Sequence, residues 1–454
     1  MVRSSRFARL PATFLGLALA YPVVAAALAV DARTQVAPYV SLYTAVGVAA
    51  GRDGGFVVVW EEDSRVYARA YDADAAPRGG RQLVSGLGAK VLGLDPRIAA
   101  LPDGNFVVVW VFARERFFPS VFPEVVRAQI LSPQAELLGQ SVDVGFREKF
   151  SSVASGPEVI VDPFGAAVVA WRVGALQGRR LFTVHGDEGP VLVPGEVFAI
   201  GDGEAPVLAP VPGGFAAAWI HHPSRSSPYR VVIRPFAVDG TGARPLRDEL
   251  RIDCTPSPDP KKKPSSIVAV RITSDASGRF VVGWQEALVG QDPDRVIRAL
   301  RFAADGTPVE GTFDILSLPA PPEDGSGHFL YMGDLSARAD GTLLAMWGLV
   351  TETPIPCERT DPADICPPPN TDGVVFARAF NAGGDPRGPE LQVASEEYTY
   401  PRVASARADG WVVTYQDFLD FSAATLALDD CGGAGPEGLC LGGRFLLTAS
   451  WKTD

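Results

Sequence analysis

The sequence predicts an all-β fold: a seven-bladed β-propeller of four-stranded antiparallel blades, closed by an N-terminal strand added to the last blade. The stretch Asp103-Gly104-Asn105-Phe106-Val107-Val108-Val109-Trp110 recurs down the chain. Asp53 to Trp60 is nearly identical, weaker copies end at Trp171, Trp219, Trp284 and Trp347, and the last runs from Trp411 to Tyr415, seven in all. Each copy reads as a turn at Asp-Gly or a relative, then a strand that is apolar on both faces and ends in an aromatic. A short N-terminal segment also repeats a strand found late in the chain, as a ring closed by its own ends requires.

The chain opens with a leader. Arg3, Arg6 and Arg9 precede an apolar run from Phe14 to Val24, and the small residues Ala25 to Ala29 offer Ala-x-Ala cleavage sites, so residues 1–29 are expected to be a signal peptide. A membrane anchor is the weaker reading, because the run contains Pro22 and is short for a bilayer. The 454 residues and 47% hydrophobic content would allow two or three domains, but the repeats argue for one, at 30–450, followed by a tail at 451–454. Removing the leader leaves 38 basic against 53 acidic residues, about −15, a surface that repels nucleic acid and anionic lipid. A secreted or periplasmic monomer is expected, with no membrane insertion after leader cleavage. The one basic cluster, Lys261 to Lys263 between Pro260 and Pro264, reads as a solvated loop.

Each repeat divides into strands a, b, c and d. Blade one is cut at Ala45 to Ala49, Phe56 to Trp60, Val66 to Tyr71 and Gln82 to Ser85. Blade two is cut at Pro96 to Ala100, Phe106 to Trp110, Val125 to Leu131 and Ser141 to Val144. Later blades begin at Pro157, Pro206, near Ser266, near Leu330 and at Pro401. Aromatic-to-aromatic spacings of 48 to 68 residues exceed common propeller repeats, and the excess lies in loops. Strand b excludes a half-buried sheet, since Phe106, Val108 and Trp110 face one way while Val107 and Val109 face the other. A radial stack covers both faces; a parallel β-helix is the alternative, but its coils are shorter.

Thr34-Gln35-Val36-Ala37 resembles Leu391-Gln392-Val393-Ala394, the d strand of blade six, so the N-terminus is expected to supply the d strand of blade seven. That blade's own strands are read as a (Arg402 to Ser405), b (Trp411 to Tyr415) and c (Arg444 to Thr448). Joining the ends in one sheet removes an open edge. The a-to-b and c-to-d turns share one end of the ring and are short: Asp103-Gly104, Gly213-Gly214, Ser277-Gly278, Asp340-Gly341 and Asp409-Gly410 are tight turns. The b-to-c and d-to-a loops share the other end and include Val111 to Glu124, Ile220 to Tyr229, Gln285 to Arg295, Gly348 to Gly373 and Gln416 to Gly443. Loops on a rigid scaffold carry binding.

Candidate chemistry is sparse. Arg114, Arg116, Phe117, Phe118 and Phe122 share the blade-two loop; they read equally as an interaction surface or as aromatics packing the loop onto the ring. His221-His222 follows Trp219, but adjacent His residues rarely share an ion, and only His185 and His328 remain, so no metal site is expected. Glu61, Glu62, Asp63, Glu286 and Asp417 stand just after strand b and read as a catalytic pair or a solvated acidic rim. Asp72-x-Asp74, Asp292-x-Asp294 and Asp429-Asp430 raise structural calcium without completing a loop pattern for it; otherwise no cofactor is expected. Arg69, Arg127, Arg234 and Arg378 recur in strand c, and a position repeated in many blades is a packing solution, partnered by the strand-b Trp or a neighbouring carbonyl. Of the five Cys, Cys357 pairs by spacing with Cys366 and Cys431 with Cys440, two local disulfides, leaving Cys254 as a buried or idle thiol.

The Asp53-Gly54-Gly55-Phe56-Val57-Val58-Val59-Trp60 blade resembles the repeat of secreted bacterial β-propellers built from such modules, and more distantly the sialidase-type blade. Sialidase-like enzymes carry Ser-x-Asp-x-Gly-x-Thr-Trp boxes between strands c and d, whereas the turns here read Asp239-Gly240-Thr241-Gly242 or Asp305-Gly306-Thr307, without the Trp. The resemblance implies fold strongly and function weakly. The first reading is therefore a non-catalytic, exported propeller binding an extracellular or envelope protein or glycan through its long-loop face. The second is a propeller hydrolase or lyase acting on extracellular carbohydrate, favoured if a Tyr or Glu converges with two or three Arg at the channel mouth.

Overall fold

A strand that is apolar on both faces needs a cover on each side, and stacking seven sheets around an axis supplies both covers to every sheet. The computed structural model describes residues 27–429 apart from 38–44, 87–90, 115–123, 148–155, 188, 223–226, 257–264, 289–294, 310, 319–326, 354–369, 397–399, 409 and 418–419. Those residues form seven antiparallel sheets and no helix. Blade one runs Val46–Ala50, Phe56–Glu62, Arg65–Tyr71, Gln82–Leu83, and blade two Val91–Ala100, Phe106–Arg114, Glu124–Leu131, Leu137–Arg147, matching the expected cuts with longer strands in blade two. Blade four carries a fifth strand, because Gly242–Pro245 and Leu250–Asp253 both pair the same strand c.

Among the described residues the core is seven separate clusters, one per blade-to-blade interface. Phe106, Val108 and Trp110 pack against blade-one residues such as Val57, Val66 and Ala68, while Val107 and Val109 join Ala167, Val169 and Trp171 of blade three. Each strand-b Trp thus points back at the preceding blade. Glycines admit it: a Cβ on Gly145 would lie 2.4 Å from the Trp171 ring, and one on Gly201 2.4 Å from that of Trp219. Directly opposed aromatics close the other end of the hairpin, with Phe56 on Tyr71 at 5.0 Å, Phe215 on Phe236 at 5.0 Å and Phe280 on Phe302 at 4.7 Å between centroids.

The tight turns share one hydrogen-bond scheme. In blade two, Leu101 N donates to Asn105 O and Gly104 N to Leu101 O, with Asp103 Oδ1 taking Asn105 N. Blade five repeats it from Asp275, and the c-to-d turns at Asp72, Ser132, Ala303 and Asn381 use the same backbone ladder. In the a-to-b turns Gly54, Gly104 and Gly341, each after an Asp, sit at positive φ, 91° for Gly104, which is why glycine stands there.

The N-terminal strand, Ala27–Ala37, pairs with Asp420–Asp429, giving the order N-terminal strand, c, b, a in blade seven. Closure by the chain's own end is as expected. Strand c of that blade is not: Asp420–Asp429 fills the place assigned to Arg444 to Thr448, a segment outside the described residues. The chain turns back between Asp417 and Asp420, so the long b-to-c loop read at Gln416 to Gly443 does not exist, and Cys431 and Cys440 follow strand c instead. The loops of blades two and six are likewise shorter than read, since strands b extend through Arg114 and Thr353. Arg33 ties the closing strand to blade six by donating to Val393 O at 2.6 Å.

Candidate functional site

Strand a of every blade lines a central channel with a cavity of about 500 Å³. One position per blade sets its chemistry. Gly47, Arg97, Glu158, Val207, Arg271 and Asp334 each pair with the residue just before the strand-b Trp, so all six sit at one level, and all six line the cavity. Arg402 follows Pro401 as Arg97 follows Pro96; its side chain lies outside the described residues. Two residues further along the same strand faces come Thr273 and Ser336.

The charges at this level are loosely paired across blade boundaries. Arg97 Nε lies 3.6 Å from Glu158 Oε2, and Arg271 Nε 3.7 Å from Asp334 Oδ1, longer than direct charge-assisted hydrogen bonds. The guanidiniums are positioned by backbone instead: Arg97 donates to Pro96 O at 2.9 Å, and Arg271 to Gly333 O at 2.7 Å and Val270 O at 2.8 Å. Burial in the channel pushes the Glu158 carboxyl up to about 7, against the opposing pull of Arg97. Burial also lowers Arg271, with Asp334 acting against it.

Three of the carboxylates after strand b, Glu61, Glu62 and Glu286, are held by hydrogen bonds and do not form a free rim. Glu62 accepts from Trp60 Nε1 at 3.0 Å and from Arg81 at 2.6 Å. Glu286 is buried and accepts from Trp284 Nε1 at 2.7 Å, Thr255 Oγ1 at 2.7 Å and Arg298 at 3.3 Å. Glu61 takes Asp95 N at 3.2 Å and is pushed up to about 7 by burial. Asp63 sits in the blade-one turn at φ 50°, and Asp417 ends its strand. Since Glu61 and Glu158 both rise above an ordinary 4.5, the folded chain binds more protons than the unfolded chain between about 4.5 and 7. Stability from this pair is therefore present at pH 5 and lost as pH rises through 7. Urea melts at pH 5 and 8 should show the drop, and a Glu61→Gln, Glu158→Gln double variant should flatten it.

The other sequence-derived candidates are scattered. His221 Nδ1 lies 2.9 Å from Asp202 O, and His222 stacks on Tyr229 at 4.2 Å, so the two adjacent rings serve separate contacts. Arg114 ends strand b of blade two opposite Val91, while Arg116, Phe117, Phe118 and Phe122 lie outside the described residues. So do Cys357, Cys366, Cys431 and Cys440, and the Lys261 to Lys263 run. Cys254 is buried, with Sγ donating to Ser265 O at 3.1 Å. Asp72 Oδ1 takes the N–H groups of Asp74 and Ala76, a turn cap. The strand-c arginines reach the segment that leads into strand d: Arg69 donates to Gly79 O, Arg378 to Gly388 O, and Arg234 pairs with the Glu249 carboxylate. Arg127 departs from that series, lying opposite Trp110 and pairing with Asp143, and Gln129 takes the recurring position, donating to Leu138 O.

No protein family and no curated protein matches the sequence. Solved structures match at low identity. A protein of unknown function from Dyadobacter fermentans is 12% identical over 88% of this chain and 99% of its own, with a TM-score of 0.44. The Dos1 propeller is 8% identical over 88% and 95%, with a TM-score of 0.47. An ulvan lyase, a polysaccharide lyase with its sugar bound, is 10% identical over 88% and 95%, with a TM-score of 0.40.

Proposed function

We propose that this propeller is exported and binds an extracellular or envelope protein or glycan through the end of the ring that carries the b-to-c and d-to-a loops. The asymmetry of the two ends supports this reading. Hairpins at that end outrun the blades: strands a and b of blade two stay paired out to Val91 and Arg114, and blade six pairs out to Gly327 with Glu352 and Thr353 with Asn370. At the opposite end most hairpins close in the shared five-residue turn, although blade three extends a c-to-d hairpin there to Gly186 and Gly189. Projecting ribbons of variable length on a rigid ring are suited to recognition. Export rests on the leader, and processing after Ala29 would give up the three outermost pairs of the closing strand, Ala27 to Ala29. The Cys357 to Cys366 and Cys431 to Cys440 bridges remain part of the proposal, and mass mapping of the non-reduced chain tests them.

The test is a glycan array and crosslinking to intact envelope with the purified chain beside a variant carrying Arg114→Ser, Arg116→Ser, Phe117→Ser and Phe118→Ser. Retention should fall at least tenfold in the variant while its melt stays unchanged. Equal retention by both, or none by either, would remove this reading. The second reading, a hydrolase or lyase, is favoured by Glu158, a carboxyl raised toward neutrality between Arg97 and Arg271, as a general acid or base requires. Release of reducing ends or unsaturated sugar from a polysaccharide, abolished by Glu158→Gln, would establish it in place of the first.

A further inference from the structure

We propose that the central channel is itself a binding site for a small hydroxy acid of sugar-acid size, its carboxylate held between Arg97 and Arg271 and its hydroxyls toward Thr273 and Ser336. The inference stands apart from the loop face, and under the hydrolase or lyase reading it names the substrate class of the same channel. A cavity of about 500 Å³ lies in the range that takes a small organic ligand. Its walls place two guanidiniums at one level, each fixed by backbone carbonyls through some of its donors. Among the described residues these bonds use Arg97 Nη1 and Arg271 Nε and Nη1, with none from either Nη2, and the carboxylate neighbours stand off at 3.6 and 3.7 Å. A guanidinium delivers paired N–H groups to a planar carboxylate better than to a lone hydroxyl. The next level supplies the Thr273 and Ser336 hydroxyls; Thr273 Oγ1 accepts from Ala337 N at 2.8 Å, which turns its own proton away from that bond.

Glu158 adds a pH dependence. Among the described residues the charged groups facing it are Arg97 of blade two, Arg271 of blade five and Asp334 of blade six, and its carboxyl is raised to about 7. Above that value its negative charge opposes the incoming carboxylate; below it the neutral acid offers a proton to the same ligand. Affinity should therefore rise as pH falls through 7, over a range where a sugar acid stays ionised.

Calorimetry and ligand-observed NMR with D-glucuronate, and with D-glucose as the uncharged counterpart, test the site at pH 6 and pH 8. Glucuronate is expected to bind several-fold tighter at pH 6, and glucose at least tenfold weaker than glucuronate. Arg97→Gln and Arg271→Gln should each weaken glucuronate at least tenfold, with Arg247→Gln, whose side chain is held by Asp305 and Thr307 outside the channel, as the unchanged control. If Arg271→Gln fails to fold, Arg97→Gln and the pH pair still decide. No glucuronate binding, equal affinity for glucose, or binding indifferent to the channel arginines would each overturn the proposal.

Discussion

Deleting Ala27–Ala37 is expected to open the ring and destabilise it by at least about 5 kcal/mol. The strand supplies nine register pairs to Asp420–Asp429. Leu28 packs into the blade six to seven cluster and Val36 and Ala37 into the blade seven to one cluster, all buried. At roughly 1.5–3 kcal/mol per buried aliphatic side chain, Leu28 and Val36 alone reach about 3–6 kcal/mol. Lost strand pairing adds to this, and the bared edge of Asp420–Asp429 becomes a template for other chains. A chain beginning at Ala27 should melt as the longer chain does, whereas one beginning at Pro38 should melt far earlier and aggregate. Equal melting and light scattering for the two would mean the closing strand contributes nothing.

Strand b was legible because it must be apolar on both faces, so Phe106 to Trp110 announces its environment without reference to the rest of the chain. The turns were legible because one φ requirement puts glycine at Gly104, Gly278 and Gly341. Strand c of blade seven was not. Asp420–Asp429 reads Asp-Phe-Ser-Ala-Ala-Thr-Leu-Ala-Leu-Asp, and small residues such as the fully buried Ala423 and Ala424 give a weak apolar signal; Arg444 to Thr448 looks more like a strand than the segment that forms one. The channel level was invisible for a different reason. Its occupants, Gly47, Arg97, Glu158, Val207, Arg271 and Asp334, share a place and no chemistry, so no motif recurs. Only the pairing of each with the residue before the strand-b Trp brings them into register. The carboxylates after strand b misled in the opposite direction, since their type suggested a free acidic rim while Glu62 and Glu286 are held under indole N–H groups.

Replacing Trp110 or Trp284 by Ala is expected to cost on the order of 3–5 kcal/mol each, the range for emptying a large aromatic site in a core. Both side chains are 1% exposed and each fills the interface with the blade before it. Phenylalanine separates their roles. Trp110 Nε1 is buried with no hydrogen-bond partner among the described residues, so Trp110→Phe removes no bond seen there and should restore most of the loss. Trp284 Nε1 donates to Glu286 Oε1 at 2.7 Å, and Glu286 in turn holds Thr255 and Arg298. Trp284→Phe leaves that buried carboxylate short of a donor, at a cost of about 1–3 kcal/mol beyond the lost packing. Urea melts of the four variants read the difference: Trp284→Phe should stay well below Trp110→Phe. Equal recovery by the two phenylalanines would show that the indole bond to Glu286 contributes nothing, and an unchanged midpoint for Trp110→Ala would contradict the blade-to-blade packing itself.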